Sequence, residues 1–139
     1  MSQQVKVYRK LQFKSGALTE GERKTMEHHS TADTLTFDES GSIHTNLGAT
    51  VARALTLPII GADGAVTGLK GVYFDFVVMA AYALQIDPST AGGIYINGAK
   101  QADDKYISAD DEAESVRLTG DGNGDWVASS MIGTWSVQT

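Results

Sequence analysis

The sequence has no cysteine, only two prolines, and no apolar run approaching the ~20 residues that a membrane-crossing helix needs. The first absence excludes disulfides, thiolate nucleophiles and zinc–thiolate sites. The third removes the membrane as an expected partner. Positive charge is scarce as well: 11 Lys and Arg stand against 17 Asp and Glu, for a net charge of −6. So few basic residues on an acidic body would repel phosphate, and nucleic acid is not an expected partner. The motifs of common chemistries are missing too. There is no G-x-S-x-G, P-loop, G-x-G-x-x-G or H-E-x-x-H.

What is present describes a globular chain. Its 139 residues are one domain's worth, with 42% hydrophobic and 20% charged residues, enough to bury a core. Fifteen glycines predict many turns and few long helices. The charge is uneven. Residues 1–30 carry six Lys and Arg against three Glu, and residues 31–139 carry five against fourteen. A mildly basic N-terminal segment on an acidic body suits docking to an acidic surface, or simply a solvated strand and turn.

Periodicity predicts β-structure nearly throughout. Val5–Phe13 alternates apolar and polar residues, with lysines that would guard a sheet edge. Residues 14–34 are polar, and Glu20–His29 reads as a loop, an arm or a short helix anchored only by Met26. Short strands are expected at Thr34–Phe37, Ser42–Asn46 and Ala49–Leu57, the last closed by Pro58. Val72–Ile86 is the most apolar run and predicts two strands, Gly71–Val78 and Ala83–Ile86, with a bend at Ala80-Ala81. A single buried helix is the alternative. Ile94–Ile96 precedes Asn97-Gly98, the strongest hairpin signal in the chain. A strand resumes at Tyr106-Ile107. The end reads as a meander of Ser115–Thr119, Trp126–Met131 and Thr134–Gln138, joined by GDGNGD and by Ile132-Gly133. The sum is an all-β chain, a compact antiparallel β-sandwich or barrel of about ten short strands with an N-terminal strand or arm. Residues 1–45 form that arm and residues 46–139 the β-domain.

Candidate chemistry is thin. His28 and His29 are adjacent, so on an extended chain they point to opposite sides. With no third ligand seen near in sequence, the pair reads as solvated. His44 is the one other base, and nothing in the sequence ties it to a serine. Asp75 is the lone charge in the apolar run; it either has a raised pKa or faces the polar side and pairs with a neighbour. Asp121, Asn123 and Asp125 match the opening of a calcium loop. The twelfth position is Ile132 and the sixth is Trp126, however, so a hairpin loop is the better reading. Asp110, Asp111, Glu112 and Glu114 form an acidic run that reads as a hydrated loop. No enzyme, cofactor or metal is expected.

The order Leu55-Thr56-Leu57-Pro58, Phe76-Val77-Val78, Leu84-Gln85-Ile86-Asp87-Pro88, Lys105-Tyr106-Ile107-Ser108, Ser115-Val116-Arg117-Leu118, Asp125-Trp126-Val127 and Gly133-Thr134-Trp135 resembles a β-rich module of tailed-bacteriophage virions. The module occurs in head decoration (cement) proteins and in tail or head fibres. The likeness spans about residues 46–139 and rests on structural residues. It implies a homotrimeric structural protein on the capsid exterior, made in the host cytoplasm, with the major capsid protein and its own copies as partners. Under that reading Lys6, Tyr8, Arg9, Lys10 and Lys14 are the capsid-contact candidates. Phe74, Phe76, Trp126 and Trp135 are the candidates for the core or the oligomer interface. The alternative implied role is the distal, receptor-binding domain of a fibre.

Overall fold

The computed structural model describes residues 23–58 and 70–139. The strand expected at Val5–Phe13, with its capsid-contact candidates Lys6, Tyr8, Arg9, Lys10 and Lys14, lies outside the described residues. Among those residues the fold is all-β, with twelve strands, one 3-10 turn and no α-helix. Numbered along the chain, β1 (Met26–His28), β3 (Ile43–Thr45), β5 (Tyr73–Val77), β10 (Ser115–Gly120), β11 (Trp126–Ile132), β7 (Ile94–Ile96) and β8 (Ala99–Lys100) form one seven-stranded sheet in that order. The second sheet has five strands: β12 (Ser136–Val137), β9 (Ile107–Ala109), β6 (Leu84–Asp87), β4 (Arg53–Thr56) and β2 (Asp33–Thr34).

The sheets are mixed, not antiparallel. From β1 to β7 the chain changes sheet at every step, so same-sheet neighbours run the same way. β1, β3 and β5 pair in parallel, as do β2, β4 and β6. These windings resemble the rungs of a solenoid. The second half then closes both sheets with antiparallel strands, β10 against β5 and β9 against β6. The sequence reading missed the winding because turn chemistry reports local hairpins, whereas parallel pairing is made between strands a full winding apart. The local signals hold where they are local. Asn97 and Gly98, with φ of 58° and 83°, join β7 to antiparallel β8, the pairing that a two-residue hairpin requires.

The two strands and the bend expected in the run 72–86 are present as β5 and β6, and the two strands lie in opposite sheets. The expected closing meander also divides. β10 and β11 pair, but after Gly133 (φ 83°) the chain crosses over, and β12 pairs with β9 in the other sheet. Residues 23–45, read from sequence as part of an arm, supply β1, β2 and β3, so both sheets run across the boundary expected at residue 45.

The alternation of side chains sets the core between the sheets. On the first sheet Phe74 and Phe76 face inward opposite Leu118 and Val116, while Asp75 and Arg117 face out. On the second, Leu55, Leu84, Ile86 and Ile107 are fully buried. Trp126 fills the space beside Phe74, with ring centroids 6.0 Å apart. Trp135 is also buried, and its indole N–H donates to the Ser115 carbonyl at 3.1 Å. Phe74, Phe76, Trp126 and Trp135 are therefore interior residues of the single chain.

Candidate functional site

Two features of the described residues go beyond a packed core: a histidine cluster at one end of the seven-stranded sheet, and an open stretch of strand edge on β11.

The cluster follows from strand register. β1 and β3 run in parallel with Glu27 beside His44, and period two puts Glu27 and His29 on the same side of the chain. His29 and His44 are buried, at 6% and 0% exposure, while the Glu27 side chain is 45% exposed. His29 Nε2 lies 2.9 Å from His44 Nδ1. Glu27 Oε1 lies 3.6 Å from the first of these atoms and 3.5 Å from the second. Two further groups flank the pair. Ser42 Oγ is 2.7 Å from His44 Nε2, and Asp33 Oδ2 is 3.7 Å from His29 Nδ1. Beneath His44 sit the rings of Phe74 and Phe76, each with its centroid 5.8 Å away. A cleft of about 700 Å³, lined in part by Lys24, Glu27, Ser42 and Tyr73, opens beside the cluster.

The hydrogens can be placed. Ser42 has one hydroxyl proton, and it donates to the Glu39 carbonyl at 2.5 Å. Its oxygen must then accept from His44 Nε2–H, which leaves His44 Nδ1 with a lone pair directed at His29. Burial is the main cause that lowers the His44 pKa to about 4, and the neighbouring His29 adds to it against the opposing charge of Asp33. The serine that sequence reading could not connect to His44 is thus hydrogen-bonded to it, but with its own proton committed elsewhere. That is the reverse of the polarity a serine nucleophile needs.

The second feature lies on β11. Its inner edge pairs with β10 along its length, with one bulge. Ser130 and Met131 together oppose Val116, and Ser130 adopts φ 50°. Such a bulge bends the strand and re-aims the side chains after it. Met131 and Ile132 are accordingly 40% and 63% exposed. On the outer edge, β7 pairs with Trp126 and Val127 alone. Among the described residues no strand pairs with 128–132 on that side, and the segment carries no charge and no proline. Unpaired edges are ordinarily blunted by lysine, proline or a covering loop.

The remaining sequence candidates have internal partners. Asp121 Oδ1 accepts from the amides of Asn123 and Asp125, at 2.7 and 3.1 Å. Asp125 is buried, accepts from the Gly93 amide at 2.9 Å and lies 3.3 Å from Lys100 Nζ. These carboxylates brace loops. Asp110, Asp111 and Glu114 do come close together. Yet Glu114 accepts from the amides of Asp111 and Thr134, and those bonds hold its pKa below the usual carboxylate value.

Glu27 carries no signal of a site by itself, and His29, expected to be solvated, is buried. The usable signal was Glu27-His28-His29 itself, which on a strand puts a carboxylate and an imidazole on one side. Its partner His44 depends on a parallel pairing that no local pattern announces. Neither a protein-family model nor a curated protein matches the chain.

Proposed function

We propose that this protein is a non-catalytic structural component of a tailed-phage virion, a decoration protein that binds the capsid exterior as a homotrimer and stabilises the head. The observation that carries the reading is the uncharged, bulged outer edge of β11, with Met131 and Ile132 exposed beside backbone that pairs with no strand among the described residues. Such an edge accepts a strand from a neighbouring chain, and main-chain hydrogen bonds then supply affinity. In the homotrimer the neighbour is another copy. The sequence resemblance over residues 46–139 and the two-sheet all-β body support the same role. The basic segment with Lys6, Tyr8, Arg9, Lys10 and Lys14 is left to contact the major capsid protein. Several weak contacts made at once by one oligomer would give firm attachment.

The test is co-sedimentation of the purified protein with undecorated tailed-phage shells. Pelleting that saturates at a fixed ratio to the capsid subunits supports decoration. Protein that stays in the supernatant at all concentrations overturns it.

The receptor-binding reading draws on one observation, the exposure of Tyr82 and Tyr95 at 44% and 42%. Exposed aromatic rings are suited to stacking on sugars. Binding to host cells without binding to shells would select that reading.

A further inference from the structure

We propose that Glu27, His29 and His44 form a binding site for one zinc-class transition-metal ion, with Asp33 and Ser42 orienting the two imidazoles from outside. The three donor atoms, Glu27 Oε1, His29 Nε2 and His44 Nδ1, stand 2.9, 3.5 and 3.6 Å apart. Around a tetrahedral zinc with bonds near 2.0–2.1 Å, neighbouring ligand atoms are about 3.3 Å apart. Two edges of the triangle are close to that spacing. The third needs the imidazoles to separate by roughly 0.4 Å.

The outer hydrogen bonds favour the ion as much as the triangle does. His44 donates its Nε2 proton to Ser42, so its Nδ1 lone pair faces His29. If His29 donates Nε2–H to that lone pair, its own Nδ1 lone pair is left facing the Asp33 carboxylate, acceptor against acceptor. A metal ion between the rings relieves the mismatch. Both inner nitrogens then act as ligands, and both outer nitrogens carry their protons, His44 donating to Ser42 and His29 facing the Asp33 carboxylate 3.7 Å away. An imidazole held between a metal and a carboxylate is the usual arrangement at zinc sites, and it fixes the ring and strengthens the ligand. Phe74 and Phe76 supply the apolar floor. The cleft beside Glu27 gives access and leaves room for water as the fourth ligand.

Two histidines and one carboxylate suit zinc and its neighbours in the transition series, not magnesium or calcium, which prefer all-oxygen shells. The ion would tie β1, the edge strand, to β3 and to the chain leaving β1. It does not depend on the virion role, and the experiment below is blind to that role.

The protein is freed of metal with a chelator and titrated with zinc alone by calorimetry, with thermal scans alongside. Cobalt(II) is added separately as a spectroscopic probe. The expected results are one ion per chain, a raised Tm with zinc but not with magnesium, and visible cobalt bands of a four- or five-coordinate site. Glu27→Gln alters an exposed side chain and should leave the fold intact while weakening zinc binding at least tenfold, about the loss expected for an oriented metal site. Asp33→Asn should weaken it about tenfold through the lost orientation of His29. His28→Ala, on the opposite side of the strand, removes a bond to Thr45 but should leave zinc binding unchanged. No saturable binding by the unaltered protein overturns the site. So does zinc binding that Glu27→Gln and Asp33→Asn both leave unchanged, which would place the ion elsewhere.

Discussion

Arg117 and Asp75 stand directly opposite each other on β10 and β5, and the guanidinium grips the carboxylate with two bonds, Nε to Oδ1 at 2.7 Å and Nη2 to Oδ2 at 3.1 Å. Lys24 adds a third contact, with Nζ 3.0 Å from Oδ2. Arg117 also lies over the Tyr73 ring, 4.5 Å from its centroid. The lone charge of the apolar run thus faces outward and is paired, on the side of the sheet away from Phe74 and Phe76.

A pH dependence follows from that pair. Burial alone would raise the Asp75 pKa, but the hydrogen bonds and charges of Arg117 and Lys24 outweigh it and hold the carboxyl below the usual aspartate value. A carboxylate with a depressed folded-state pKa stabilises fully above its unfolded value and loses that contribution as pH falls through the folded one. Denaturant melts below about pH 4 should therefore fall more steeply for the unaltered protein than for Asp75→Asn. At neutral pH a double-mutant cycle of Asp75→Asn with Arg117→Gln should give a coupling of about 1 kcal/mol, because both side chains remain partly exposed.

Asn46 is a second point of control. Fully buried, it accepts from the amides of Met79 and Ala80 and donates to the carbonyls of Ala80 and Tyr82. One side chain thus satisfies four backbone groups in the bend between β5 and β6. Asn46→Ala should cost about 3 kcal/mol in chemical denaturation, since buried amides and carbonyls lose their partners. Asn46→Asp should cost at least as much at neutral pH, because a carboxylate cannot donate to either carbonyl.

The bulge on β11 stores strain at Ser130, whose φ of 50° is unusual for a residue with a side chain. Ser130→Gly should raise stability by about 1 kcal/mol by releasing that strain, offset in part by the greater freedom of glycine when unfolded. The measurement is the denaturant midpoint at unchanged slope.

Much of the fold was legible and the candidate site mostly was not. Phe74, Phe76, Leu118 and Trp126 declare inward faces by alternation within single strands, and Asn97-Gly98 announces its hairpin through local φ requirements. What stayed hidden depends on long-range partners. The parallel windings β1-β3-β5 and β2-β4-β6 leave no turn signature, so the sheets read as antiparallel and residues 23–45 read as an arm. The same blindness separated His44 from Glu27 and His29. The edge of β11 was hidden for a different reason. Trp126–Met131 reads as an ordinary half-buried strand, and among the described residues the short reach of β7 leaves its outer side open.

The role of that edge has a direct measurement: an electron cryo-microscopy map of undecorated shells mixed with the purified protein, collected in parallel for Ile132→Lys. The expected map has trimeric density on the shell exterior, with a strand of a neighbouring copy against 128–132 of β11, and the Ile132→Lys protein leaves the shells bare or binds as separate chains. Shells that gain no density from the unaltered protein, or trimers whose β11 edges face solvent, would contradict the proposed role.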